Sequence, residues 1–225
     1  VLPVSQNDID MLDFVSASPI PRDVLRENVG DAVNMIKNDN ISRIVIAMLN
    51  YYDNDVYIYP AASKIHHNFI GGLATHMSGM IKLANALCDI YPSANRDYLL
   101  AGVILHDLGK IEEFVSPFVS EYSIQGKLLG HISIMDARLL EVGKQLKLED
   151  SEELMLLRHM ILAHHGQHEY GSPVLPETLE AELLTYIDNI DAKVEIINKA
   201  LVDVKPGEFS ARVFAMDNRC FYKAK

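Results

Sequence analysis

The sequence predicts an all-α fold: a helical bundle with a helical N-terminal lead-in and a short extended or hairpin C-terminal tail. Three observations predict it. Apolar residues recur at the three-to-four-residue spacing of a helix through most of the chain, among many strong helix formers. Apolar residues make up 49% of the 225, enough to fill a sizeable core in one large domain or one domain with appendages. Only two short stretches, around residues 118–124 and 209–222, read as extended.

In chain order, residues 1–40 are polar and broken by Pro3, Pro19 and Pro21. Asp8 to Val15 fits a short helix with Ile9, Leu12 and Val15 on one face. Pro21 suits the first helical position, where its missing N–H is not needed, so a helix is expected from Arg22 to about Asn38. Its inward residues would be Val24, Leu25, Val29, Val33 and Ile36. Ser42 reads as the N-cap of the next helix, through Leu49 or Tyr52, and a tyrosine-containing connector follows to Lys64. Gly71-Gly72 marks a close backbone approach or a tight turn into a helix that Pro92 ends. Leu73, Met77, Met80, Leu83, Ala84 and Leu87 form its stripe, with His76 beside it.

Residues 94–108 form the following helix, and the run Leu99–Leu105 reads as its buried end. Gly109 is expected as a left-handed residue just past that end. After an extended pair near Phe118–Ile124, Gly126 to Leu148 is a long helix with His131 near its start. Asp150 reads as the cap of a helix over about residues 151–165, with Glu153 as capping-box partner. Gly171, Pro173 and Pro176 mark a loop, and Glu177 to about Val204 is the last long helix. Phe209 to Tyr222 alternates weakly around Asp217-Asn218 as a hairpin or extended tail.

A net charge of −11 argues against a broadly basic nucleic-acid surface. It leaves room for a local site in which metal ions offset carboxylate charge. Two cysteines, Cys88 and Cys220, make no disulfide scaffold, and no secretory signal pattern is visible, so a cytoplasmic protein is expected. No apolar run approaches the roughly 20 residues of a membrane span.

The chemistry gathers at His106-Asp107-Leu108-Gly109-Lys110. Adjacent His and Asp at the end of a buried helix are costly without partners. A divalent ion is one partner; a plain helix-end hydrogen bond is the other. Imidazole with carboxylate suits Mn²⁺, Fe²⁺, Co²⁺ or Zn²⁺, and Lys110 places a cation alongside, where a phosphate could be held. More candidate ligands recur in order: His76, then His106-Asp107, then His131, then His164-His165, then Asp188, with Asp191 one turn on. His159 and His168 read as ordinary surface or loop histidines.

This ordered set resembles the HD superfamily of metal-dependent phosphohydrolases. Further segments narrow the resemblance to the YhaM-type 3′-to-5′ exoribonuclease branch, over roughly residues 45–225. They are residues 60–73 (PAASKIHHNFIGGL), His164-His165-Gly166 with Glu169 to Pro173, Tyr186 to Lys193, and the tail from Phe209 to Lys223. Ala74-Thr75-His76-Met77 stands where the family usually shows Leu-Glu-His-Thr, with the histidine retained. No segment reads as the upstream OB-fold barrel that such proteins usually carry.

The resemblance implies an HD bundle over residues 60–205, after a lead-in (1–59) and before a tail (206–225). It implies that His76, His106, Asp107 and Asp188 hold one metal. It also implies that His131, His164 and His165 hold a second, bridged by Asp107, unless a single metal is present and they orient substrate or water. Asp107 and Lys110 would be catalytic, and Lys110, His66, His67 and Asp191 would face substrate, with Asp191 alternatively supporting a ligand from behind. The cofactor would be one or two divalent ions, with Mn²⁺ favoured over Co²⁺, Fe²⁺, Mg²⁺ or Zn²⁺. The implied activity is exonucleolytic hydrolysis of single-stranded RNA, extending to single-stranded DNA, with no membrane and no obligate protein partner beyond a homo-oligomer. A phosphohydrolase or phosphodiesterase for nucleotides or other small esters, and a non-catalytic nucleic-acid-associated module, are the other two readings.

Overall fold

The computed structural model describes residues 16–62 and 67–225. The helix expected over Asp8–Val15 and the candidate residue His66 lie outside them. The described chain is helical, in the order α1 (Arg22–Met35), α2 (Asp39–Tyr52), α3 (Gly72–Ile90), α4 (Arg96–Leu105) and the one-turn α5 (Lys110–Glu113). A hairpin of β1 (Phe114–Ser116) and β2 (Val119–Tyr122) follows, then α6 (Ile124–Leu146), α7 (Glu152–Ala163) and α8 (Leu179–Leu201).

The all-round apolar run in α4 has the consequence expected of it. Every residue from Leu99 to Leu105 is buried. A helix with no polar face must be surrounded, and α4 touches α1, α2, α3, α7 and α8. Val29 and Ile36 of the lead-in, Ile44 and Met48 of α2, and Leu184 and Ile187 of α8 all join one continuous core. The lead-in helices therefore pack into the same core as the helices that follow.

Several local expectations shift, two of them because another residue caps the helix. The N-cap of α2 is Asn38, whose side chain accepts from Ile41 N, so the helix begins before Ser42. Ser151, and not Asp150, caps α7 by accepting from Leu154 N. Val24 is 38% exposed while Leu25 and Val29 are buried, because α1 turns a narrower stripe inward. The hairpin begins earlier than expected, at Phe114, whose buried ring lies opposite Tyr122. In the tail, Phe209 pairs with Tyr222 and Val213 with Arg219 in antiparallel bridges. Asp217 and Asn218 turn the chain with φ 56° and 57°, a region these two residue types tolerate.

Two glycines shape the functional region. Gly130 has φ 70° and breaks α6, so His131 begins a fresh helical segment. Gly109 corrects an expectation. Its φ of −61° is ordinary helical backbone and not left-handed. A Cβ there would sit 2.3 Å from the His131 carbonyl oxygen, so close approach of α5 to α6 is what requires glycine.

Candidate metal centre

Five separate helix ends or faces deliver side chains to one point. His76 comes from the inward face of α3. His106 lies at the C-terminal end of α4 and Asp107 in the turn after it. His131 follows the Gly130 break, His164 and His165 end α7, and Asp188 projects from the buried side of α8. His76, His106, Asp107 and His164 are all buried.

Asp107 is the hub. Its Oδ2 lies 3.3 Å from His106 Nε2 and 3.9 Å from His76 Nε2, and accepts a hydrogen bond from Lys110 Nζ at 2.7 Å. Its Oδ1 faces the other way, 3.6 Å from His131 Nε2 and 3.9 Å from His164 Nε2. Asp188 Oδ1 reaches the first side, 3.2 Å from His76 Nε2. His76, His106 and Asp107 thus form one cluster of donor atoms, and His131, His164 and His165 another.

The five imidazoles are held in one sense. His106 Nδ1 donates to the Val103 carbonyl at 2.9 Å and His164 Nδ1 to the Ile161 carbonyl at 2.7 Å. Each thereby satisfies a carbonyl that the end of its own helix leaves without an intrahelical partner. His165 Nδ1 donates to the Tyr170 carbonyl at 2.7 Å. His131 Nδ1 meets Glu113 Oε1 at 3.1 Å, and His76 Nδ1 meets Asp191 Oδ2 at 2.7 Å. Carbonyl and carboxylate oxygens only accept, so Nδ1 carries a proton in every ring; Nε2 of His106, His131, His164 and His165 is left to keep its lone pair, while His76 Nε2 faces a second carboxylate, Asp188 Oδ1.

Among the described residues, His106 Nε2, His131 Nε2, His164 Nε2 and Asp107 Oδ1 are buried atoms without a hydrogen-bond partner. Four such atoms converging in one place would be costly in a protein that binds nothing there. Imidazole nitrogens backed by carboxylates and carbonyls, with carboxylate oxygens among them, are what a divalent transition ion takes. The residues present fit that group.

Electrostatics agree with neutral rings on one side and anions at the centre. Burial, then the neighbouring His165 and His106 rings, hold His164 well below the usual histidine range. Burial and His131 lower His165 as well. Burial would pull His76 down, but hydrogen bonds to Asp188 and Asp191 push it up to about 9. Burial works against ionised Asp107, yet the Lys110 ammonium and His106 hold its carboxyl well below the carboxylate range. Burial likewise opposes Asp188 and Asp191, and their histidine partners hold both below that range.

Two candidate substrate residues sit in an outer layer. Asp191 Oδ2 accepts from His76 Nδ1 and also lies 2.8 Å from His67 Nε2, and His67 is only 6% exposed. Both stand behind His76. Glu113 was not anticipated. It reads in the sequence as the lead into a loop, yet its Oε1 accepts from both the His131 backbone N–H, at 3.0 Å, and His131 Nδ1. No spacing rule marks it, because the contact spans α5 and α6. His159 and His168 are placed elsewhere, His159 Nε2 accepting from Glu177 N.

The HD domain profile matches residues 73–193, the span that holds most of these side chains. The chain is 47% identical to the "3′-5′ exoribonuclease YhaM" of Bacillus subtilis (strain 168), over 99% of this chain and 71% of that protein. It is 46% identical to the protein of that name in Bacillus licheniformis, over the same shares. To the one in Geobacillus sp. (strain WCH70) it is 48% identical, over 94% of this chain and 65% of the other. No solved structure matches the chain.

Proposed function

This chain belongs to the HD-domain family, among relatives named 3′-5′ exoribonuclease, and on that premise we propose that it removes nucleotides from the 3′ end of single-stranded RNA by metal-dependent hydrolysis. The observation that carries the reading is the common orientation of the imidazoles: five have Nδ1 held from behind, and four of them, His76, His106, His131 and His164, bring Nε2 within 4 Å of an Asp107 oxygen.

In this reading His76, His106, Asp107 and Asp188 hold one ion and His131, His164 and His165 a second. The two Asp107 oxygens facing opposite clusters support the pairing. Bound there, divalent ions, Mn²⁺ in our proposal, supply Lewis acidity that activates an attacking water and polarises the phosphoryl oxygens. The protein's own groups hold the geometry. Asp191 and Glu113 set the angles of His76 and His131. Lys110, beside Asp107 and 12% exposed at its side chain, presents its ammonium to the substrate phosphate and to the leaving oxygen. One chain supplies every one of these groups.

No described helix is long and apolar enough to cross a membrane. Cys88 and Cys220 are both free thiols, in keeping with the cytoplasmic location we propose.

The test is a 5′-labelled single-stranded RNA incubated with Mn²⁺, then with Co²⁺ and Mg²⁺. The expected result is a ladder shortening from the 3′ end, abolished by chelator and by Asp107→Ala. An intact oligonucleotide under all three ions rejects the reading.

A further inference from the structure

We propose that the C-terminal tail and the last turns of α8 form a non-catalytic grip for the single-stranded RNA, at a distance from the metal centre; this rests on the hydrolytic reading above. The first observation is a reversal of charge. The chain carries 31 acidic against 20 basic residues, yet residues 205–225 carry five basic and two acidic ones. A polyanion repelled by most of this protein finds a favourable potential there.

The second observation is the company those cations keep. Phe214 is 86% exposed, Phe209 66% and Tyr222 49%, and the Phe209 and Tyr222 rings lie 5.1 Å apart. The Arg219 guanidinium stands 5.6 Å from the Phe221 ring. Single exposed apolar residues are ordinary. Exposed aromatics interleaved with arginine and lysine are what a strand of bases and phosphates takes, the rings stacking and the cations tracking the backbone.

The backbone beneath these rings is tied down. Ser210 N donates to the Phe221 carbonyl at 2.8 Å and Lys223 N to the Glu208 carbonyl at 2.9 Å. Lys223 Nζ donates to the Leu201 carbonyl at 2.9 Å, fastening the tail to the end of α8. Between the two runs a crevice of about 370 Å³, with Ile196, Lys199 and Ala200 on the helix side and Arg212 and Val213 on the tail side. Its mostly apolar walls and its two cations suit a base and its phosphate.

The third observation is direction. Lys199 is eleven residues beyond Asp188, which at 100° per residue returns it to nearly the same face of α8, about 16 Å along the axis. Lys199 Nζ donates to Asn68 Oδ1 at 2.8 Å, and the preceding residue, His67, bonds Asp191. The crevice therefore lies beside the same face of α8 as Asp188, about 16 Å further along the axis.

The experiment measures binding of a labelled single-stranded 20-mer RNA by anisotropy, in chelator, where no cleavage occurs. Hydrolysis of bis-p-nitrophenyl phosphate is measured separately with metal. Phe214→Ala, and Arg212→Gln with Arg219→Gln, are expected to weaken RNA binding about 10-fold, with small-ester hydrolysis within about 2-fold of the parent. The slope of log affinity against log salt should fall by about 0.7 for each phosphate contact removed. All these side chains are exposed, so unchanged melting curves are expected. Variants that bind as tightly as the parent overturn the grip, as does a parent that hydrolyses the small ester but binds no RNA. So does a Phe214→Ala variant whose only change is from dimer to monomer in sedimentation. If the parent binds RNA through the tail but hydrolyses neither substrate, the hydrolytic reading fails and the grip stands.

Discussion

Gly109→Ala isolates one contact between the bundle and its metal centre. The backbone there, φ −61° and ψ −18°, is comfortable for alanine, so no torsional strain is expected. The added Cβ would lie 2.3 Å from the His131 carbonyl oxygen and 3.1 Å from Met135 Cβ. An ordinary carbon–oxygen contact is about 3.3 Å, so α5 and the second half of α6 must separate by roughly 1 Å. Overpacking of this kind costs about 1–3 kcal/mol. Alanine's lower unfolded-state entropy offsets about 0.4–1 kcal/mol. The net loss of about 1–2 kcal/mol lowers Tm by about 2–8 °C for a chain of this length. The displaced residue is His131, whose Nε2 stands 3.6 Å from Asp107 Oδ1, and a 1 Å misplacement in a reacting constellation lowers turnover by about 10²-fold. Thermal melting and hydrolysis of a labelled oligonucleotide read the two effects. Gly109→Asn is the control: it would be well tolerated at a left-handed glycine and is expected here to be worse than alanine. A Gly109→Ala protein with parental Tm and turnover would refute the close-contact account.

Asp191→Ala removes the acceptor behind His76 and should lower metal affinity or activity by 10–100-fold, read by calorimetric Mn²⁺ titration, while the corresponding loss in RNA affinity in chelator stays small. Arg138→Ala breaks a bidentate pair with Glu112, Nε to Oε1 at 2.8 Å and Nη2 to Oε2 at 2.9 Å, and should destabilise by about 1–2 kcal/mol in urea melts at neutral pH. Arg138 lowers the Glu112 carboxyl from its ordinary value of 4.5. A depressed carboxylate stabilises the fold above its unfolded pKa, so the penalty of Arg138→Ala should be full at pH 7 and shrink as pH falls below about 4.5. A penalty constant from pH 7 to pH 3 would contradict this.

The elements carrying the candidate ligands were legible because each is a local pattern. The run Leu99–Leu105 reads as a buried helix and is one, and the long helices around His76 and Asp188 follow from stripe spacing. Ser42 and Asp150 read as caps in the sequence because several residues in each stretch have a side chain able to accept from a helix N-terminus. Asn38 is fixed as the cap by tertiary contacts, its side chain donating to Glu153 Oε1 and its backbone N–H donating to Asp97 Oδ2, whereas Ser151 caps through local bonds to Leu154 N and the Leu148 carbonyl. Gly109 reads in the sequence as a helix-ending left-handed glycine, whereas the requirement comes from its contact with the His131 carbonyl, in a segment the local pattern does not reach.

By itself the sequence determined which residue types could hold a cation and in what order they occur, because helix periodicity and ligand chemistry are properties of short stretches. Only the tertiary structure decided that Glu113 and Asp191 steady His131 and His76, that Asp107 faces two clusters at once, and that the basic tail lies along the same helix as Asp188. Those are distances between segments far apart in the chain, and they exist only once burial of α4 has drawn the other helices around it.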